Sequence, residues 1–235
     1  MHAETGGFFQ VINHGVPLEK REKIFNASRK FFAQPKEEKI KIRRDEKRVL
    51  GYYDTEHTKN VRDWKEVFDF AVQNPTIVPA SYEPEIRKEV CEEYAKEMEK
   101  LGFKLLELIA LSLGLKADRF HGFFEDQTTF IRLNHYPPCP VPQLALGVGR
   151  HKDAVALTIL AQDDVGGLEV KSNLMGSGLG SPQPQILTLL MLVWSNDAYE
   201  SVEHRVKVNP EKERFSVPYF EPAHYLGEAF GGNSK

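Results

Sequence analysis

The chain has 235 residues, 41% of them hydrophobic and 28% charged, the balance of an ordinary globular protein that can fold as one large domain or two small ones. A formal net charge of −3 provides no basic surface for nucleic acid or an anionic membrane, so neither is expected as a partner. The two cysteines, Cys91 and Cys139, stand in unlike contexts and read as free intracellular thiols. With no basic-then-apolar leader and no stretch of membrane-spanning length, a cytoplasmic location is expected.

Phe8 to Ile12 is a short apolar run closed by Asn13-His14-Gly15, which predicts a buried strand and a turn, with His14 a turn residue rather than a ligand. Ile24, Phe25, Ala27, Phe31 and Phe32 recur at helical spacing between Leu18 and Gln34, and Pro35 ends the pattern. The mixed-sign run 36–48, with Lys36, Lys39, Arg43 and Arg44 among its cations, is expected to be solvated surface. Residues 52–57 and 61–70 alternate as strands, with Trp64 and Phe68 available for core packing. Prolines and polar residues mark 74–84 as a loop. Glu85 to Leu115 is the clearest helix, its stripe running through Val90, Tyr94, Met98, Leu101, Leu105, Leu108 and Ile109, and Ala117 to Phe124 adds a further turn or two.

From Thr128 the period changes to that of strands, the first ending at Pro137-Pro138-Cys139-Pro140. In an extended strand His151 and Asp153 share a face, so one imidazole and one carboxylate can address one ion. A strand antiparallel to this one could return His204 to the same ion. Two imidazoles and a carboxylate on one side of a metal form the ligand set of non-haem Fe(II) oxygenases. Downstream, Arg214 and Ser216 again share a face. A guanidinium fork with a neighbouring hydroxyl is a natural carboxylate clamp, which points to an organic acid reaching from clamp to metal. His135 faces away from Asn134 and Tyr136 and is not counted as a ligand.

Residues 7–16, Asn134-His135-Tyr136-Pro137-Pro138-Cys139-Pro140, His151-Lys152-Asp153, 163–170, and Trp194-Ser195-Asn196-Asp197 through Ser216 together resemble the plant 2-oxoglutarate- and Fe(II)-dependent dioxygenases, the group of flavonol synthases, anthocyanidin synthases and gibberellin oxidases. The resemblance covers nearly all of 6–170 and 192–220. It implies an α+β fold with a mainly β core: a double-stranded β-helix, jelly-roll-like, with an N-terminal helical region and the long helix as brace. It further implies an N-terminal dioxygenase region over 1–125 and an Fe(II)/2-oxoglutarate core over 126–235. Trp64 and Phe68 would then border the substrate opening.

By the same resemblance Fe(II) is held by His151, Asp153 and His204, and 2-oxoglutarate by Arg214, Ser216 and Tyr136, with Asn134 lining the same site. No catalytic group beyond the metal ligands is needed. The implied reaction hydroxylates or desaturates a small plant metabolite, consuming O2 and converting 2-oxoglutarate to succinate and CO2, with ascorbate as reductant and a monomer as the working unit.

Two stretches depart from the family. Residues 171–191 carry a Gly/Ser/Pro-rich segment of linker composition and then the apolar run 186–191, where relatives have a tryptophan-containing strand and an Asn-Val-Gly-Asp strand end. The front of the chain and the tail after Phe220 are expected to be shorter than in relatives, and Val155 stands where many have a small residue. Loss of interior strands would expose sheet edges. A catalytically silent, truncated dioxygenase-like protein is therefore one alternative. A zinc hydrolase on the same three ligands is another, although it leaves Arg214 and Ser216 without a task.

Overall fold

The computed structural model describes residues 8–72, 77, 88–124, 129–171, 187–191 (backbone only) and 201–221. In chain order the elements are β1 (Phe8–Val11), α1 (Leu18–Phe32), α2 (Lys36–Ile40), β2 (Gly51–Tyr53), β3 (His57–Thr58), β4 (Val61–Arg62), β5 (Glu66–Val72), α3 (Lys88–Ser112), β6 (Thr129–Tyr136), β7 (Leu146–His151), β8 (Leu157–Gln162), β9 (Leu168–Val170), β10 (Leu187–Met191), β11 (His204–Lys207) and β12 (Arg214–Glu221). Short 3₁₀ turns cover Ala117–Phe123 and Pro142–Leu144.

Seven strands form the larger sheet in the order β1-β10-β8-β12-β6-β5-β2, and three form the smaller one in the order β7-β11-β9. Every strand pairing in both is antiparallel. This is the double-stranded β-helix that the resemblance implies. The larger sheet draws β1, β2 and β5 from one side of residue 125 and the rest from the other. Residues 125–128 themselves lie outside the described set.

Strand alternation decides what each face of the large sheet meets. Ile131 and Leu133 of β6, Ile159 and Ala161 of β8, and Phe215, Val217 and Tyr219 of β12 turn outward into the main core with Ile24, Phe31, Tyr94 and Met98 of the two long helices. The intervening positions turn inward. There Tyr136 and Leu160 meet Val148, Leu168 and Val206 of the smaller sheet in a second apolar cluster. The polar inward positions, Asn134, Gln162, Arg214 and Ser216, are buried between the sheets as well.

Helix α1 buries the residues that its periodicity predicts. In α3 the buried stripe is Cys91, Tyr94, Ala95, Met98, Leu101, Gly102 and Leu105, while Leu108 is exposed, so the helix is rotated slightly from the expected stripe. Its expected start at Glu85 lies outside the described residues. The rotation brings Gly102 against β12, where a Cβ would stand 2.8 Å from Glu221 Oε2.

Two expectations are corrected. Residues 36–48 are not merely solvated surface. Lys36–Ile40 is helical, Lys39 is buried 2.7 Å from Glu66, and Arg44 pairs with Glu56 at 2.8 Å and Asp69 at 2.9 Å. A mixed-sign run looks alike in sequence whether its partners are water or distant carboxylates. The apolar run after the Gly/Ser/Pro segment does not leave a gap in the large sheet either: β10 pairs with β1 through Leu190↔Phe8 and with β8 through Leu189↔Ile159. The Gly/Ser/Pro segment at 172–186 and the Trp194-Ser195-Asn196-Asp197 stretch lie outside the described residues.

Candidate metal centre and carboxylate clamp

His204 of β11 lies directly across from His151, the last residue of β7, so the antiparallel return that the sequence suggested is present. Asp153 is not in the strand with His151, contrary to the expectation. It sits two residues past the strand end and reaches back. Its Oδ1 stands 3.4 Å from His151 Nε2 and 3.6 Å from His204 Nε2, and the two imidazole centroids are 4.2 Å apart. Among the described residues these three form the one cluster of ligand-type side chains able to share an ion. Ligand atoms about 2.1 Å from a common ion stand roughly 3.0 Å apart at a right angle and roughly 3.4 Å apart at a tetrahedral one. The 3.4 Å separation falls at the upper end of that range and the 3.6 Å one lies just beyond it, a gap that a small side-chain adjustment closes.

The tautomers fit too. His151 Nδ1 lies 2.9 Å from Gly149 O and His204 Nδ1 lies 3.1 Å from Val202 O. A carbonyl only accepts, so each Nδ1 carries a proton, which leaves each Nε2 directed at Asp153 as the ring atom that would address an ion. Burial holds the His204 pKa below the usual imidazole value despite the Asp153 charge. Burial also opposes ionisation of Asp153, but the His151 hydrogen bond and the nearby imidazoles outweigh it and keep the carboxyl below the ordinary range. Burial works against protonation of His151, but its hydrogen bonds with Asp153 and Gly149 outweigh it and hold that imidazole above its usual value. A metal would therefore displace a proton there, whereas an ionised Asp153 and a neutral His204 are already the states that bind one.

Across the inner space, register places Ser216 opposite both Asn134 of β6 and Gln162 of β8, with Arg214 opposite Tyr136. Arg214 is 2% exposed. Its guanidinium donates to Ser216 Oγ at 3.2 Å and to Gln162 Oε1 at 2.9 Å, and lies 4.7 Å from the centre of the Tyr136 ring. Among the described residues no carboxylate comes within ion-pairing distance of it, and its Nε has no partner. Asn134 Nδ2 donates to Ser216 Oγ at 3.4 Å, while Asn134 Oδ1 is buried without a partner. Ser216 Oγ therefore accepts from two neighbours, which leaves its own proton to donate. A buried guanidinium with neutral partners is incomplete until an anion arrives.

The carboxylate that follows Gln162 is committed elsewhere. Asp163 accepts from the backbone N–H groups of Phe215 and Val165. His135, on the outward face as expected, lies 2.7 Å from Glu66 and 3.1 Å from Glu213 and stacks on Phe215. Trp64 is exposed with its indole N–H on Pro137 O, and Phe68 is buried in the main core. His14 accepts from Val16 N–H in its turn. Gln162 was not singled out in the sequence. The signal was there: it is the one amide in the run Leu157–Gln162, on the inward parity.

Comparison with known proteins agrees with this geometry. Residues 2–93 match the family model for the N-terminal region of non-haem dioxygenases in morphine synthesis, and 127–221 match the 2OG-Fe(II) oxygenase superfamily. The crystal structure of JOX2 in complex with 2OG, Fe and JA superposes with a TM-score of 0.83 at 32% identity, over 93% of this chain and 68% of that one. The chain belongs to the 2OG-Fe(II) oxygenase superfamily. Similar members include feruloyl CoA ortho-hydroxylase 2 of Arabidopsis thaliana, 37% identical over 93% of this chain and 63% of that protein. Gibberellin 20 oxidase 1 of Arabidopsis thaliana is 36% identical over 91% and 61%. The chain thus spans a little under two thirds of the length of these curated relatives.

Proposed function

We propose that this chain carries out Fe(II)- and 2-oxoglutarate-dependent oxidation, a hydroxylation or desaturation, of a small plant metabolite or hormone. The observation that carries the reading is the pairing of a two-imidazole, one-carboxylate cluster with a buried guanidinium that has no carboxylate partner among the described residues. Charge decides which ligand suits it. One aspartate and one arginine cancel, a divalent cation leaves the site at +2, and a dicarboxylate neutralises it.

His151, Asp153 and His204 would hold the iron from one side and leave the other open. Arg214 and Ser216 would hold the far carboxylate of 2-oxoglutarate, with Asn134 and Tyr136 lining the same space. The close seating of β7 against β6, where a Cβ at Gly147 would stand 2.6 Å from the Tyr136 ring, supports a set spacing between clamp and metal. When bound, iron and 2-oxoglutarate supply the oxidising power, O2 being consumed as the co-substrate becomes succinate and CO2. The protein's residues orient these groups and keep water out; no separate acid or base is required.

All seven site residues lie within 126–235, which supports reading 1–125 as a bracing region and 126–235 as the core. Ascorbate as reductant, a cytoplasmic location and a monomer are part of the same reading. No described helix is long and apolar enough to cross a membrane. Names such as feruloyl CoA hydroxylase and gibberellin oxidase among the relatives support small organic acids and their thioesters as the substrate class to screen. The test is succinate formation from 2-oxoglutarate under air with Fe(II) and ascorbate. Turnover abolished by His204→Ala and by Arg214→Ala supports the proposal, and turnover indifferent to both contradicts it.

A further inference from the structure

The two imidazoles do not sit on equally supported strands. His204 belongs to β11, which is hydrogen-bonded on both sides, whereas His151 ends β7, an edge strand of the same sheet. The open edge of β7 is covered by the β3–β4 hairpin and the residues just after it. Trp64 N–H donates to Leu146 O at 2.9 Å, and Gly149 N–H donates to Asp63 Oδ1 at 3.1 Å. The other Asp63 oxygen takes the Thr58 hydroxyl at 2.9 Å, and Asp63 is 5% exposed. Thr58 leans on Gly149 so closely that a Cβ there would stand 2.8 Å from Thr58 Cβ. Gly149 in turn offers its carbonyl to His151 Nδ1.

We propose that Asp63 is a positioning residue for the metal ligand His151, acting through the backbone of Gly149. The inference rests on the metal-centre reading above. Asp63 gives β7 the lateral hold that β9 gives β11. Its own position is fixed from the large sheet: Asp63 N–H donates to Glu56 O at 2.9 Å, and the buried Lys65 bridges Glu56 at 2.9 Å and Asp63 at 3.9 Å. Glu56 in turn meets Arg132 at 3.0 Å, and Arg132 is forked onto Asp69. Side chains that orient a metal-bound histidine typically contribute about 10–100-fold to metal affinity. An acceptor one peptide further out is expected near the lower end of that range.

The experiment titrates the whole protein with Co(II), whose visible bands report the ligand set, in parallel with thermal melts of the metal-free protein. Asp63→Ala is expected to weaken Co(II) binding about 10-fold and alter the band shape. Asp63→Asn, which keeps an acceptor for Gly149 N–H, is expected to stay within about 3-fold of wild type. Asp69→Asn, in the same ion cluster but without contact to β7, should lower Tm and leave Co(II) affinity unchanged. Gly149→Ala perturbs the same link from the other side and is expected to match Asp63→Ala, so the proposal stays testable if Asp63→Ala does not fold. Wild-type affinity in folded Asp63→Ala or Gly149→Ala overturns it, as does an equal loss in Asp69→Asn. A wild-type protein that binds no Co(II), or binds it equally well as His151→Ala, overturns the metal-centre reading itself and this inference with it.

Discussion

Arg214 gives one of its terminal N–H groups to the amide oxygen of Gln162, 2.9 Å away, where an ion pair would be expected of so deeply buried a guanidinium. The neutrality of Gln162 keeps the full cationic charge of Arg214 available to a ligand. Gln162→Glu should therefore supply an internal carboxylate that competes with 2-oxoglutarate. We expect its affinity for 2-oxoglutarate to fall by at least about 10-fold, which corresponds to roughly 1.4 kcal/mol, while Co(II) affinity is unchanged. Calorimetric titration of the Co(II)-loaded protein with 2-oxoglutarate checks the first, and titration of the metal-free protein with Co(II) the second.

Asp69 takes a bidentate fork from Arg132, at 2.7 and 2.9 Å, and a further bond from Arg44 at 2.9 Å, all at a buried position. Removing one partner of such a group strands the others without water. Asp69→Ala is expected to cost about 3–5 kcal/mol, read from urea denaturation as a lower midpoint at unchanged slope.

Stability should depend on pH from two sides. Burial raises the Glu221 carboxyl to about 8, and Glu99 adds to the rise while a hydrogen bond with Tyr219 opposes it. The unfolded chain releases that proton near 4.5, so between about 4.5 and about 8 the native state holds the extra proton and stability falls as pH rises. Burial also works against Glu56, yet Lys65, Arg132 and Arg44 bring its carboxyl down to about 2. Its contribution is full above 4.5 and is lost as pH falls towards about 2. Denaturation series across these windows should show Glu221→Gln flattening the upper slope and Glu56→Gln flattening the lower one.

The parts of this molecule that were legible in sequence are those that depend on parity along one strand. His151 with His204, Arg214 with Ser216, and Asn134 with Tyr136 each follow from alternation plus one antiparallel return, and the structure places them accordingly. Asp153 keeps its direction although it lies beyond the strand, so the right grouping came with the wrong local geometry. What could not be read depends on side chains from separate strands meeting. Gln162 reaches Arg214 only because β8 and β12 pair at Gln162↔Ser216, and Asp63 reaches Gly149 only because its hairpin lies along β7. Lys39 looks like surface in sequence because its partner, Glu66, is on a strand later in the chain. The strand at Leu187–Met191 was ambiguous for another reason: its apolar run has no alternation to show whether it joins a sheet.

One metal held by His151, Asp153 and His204 would share a ligand with Arg214. An anaerobic titration with Fe(II) and 2-oxoglutarate tests it most directly, by following the visible charge-transfer band that arises when a 2-oxo acid chelates ferrous iron. The wild-type protein is expected to give a band that His204→Ala abolishes and that Arg214→Ala shifts to much higher 2-oxoglutarate concentrations. A folded wild-type chain that gives no band, or a band that survives His204→Ala, would contradict it.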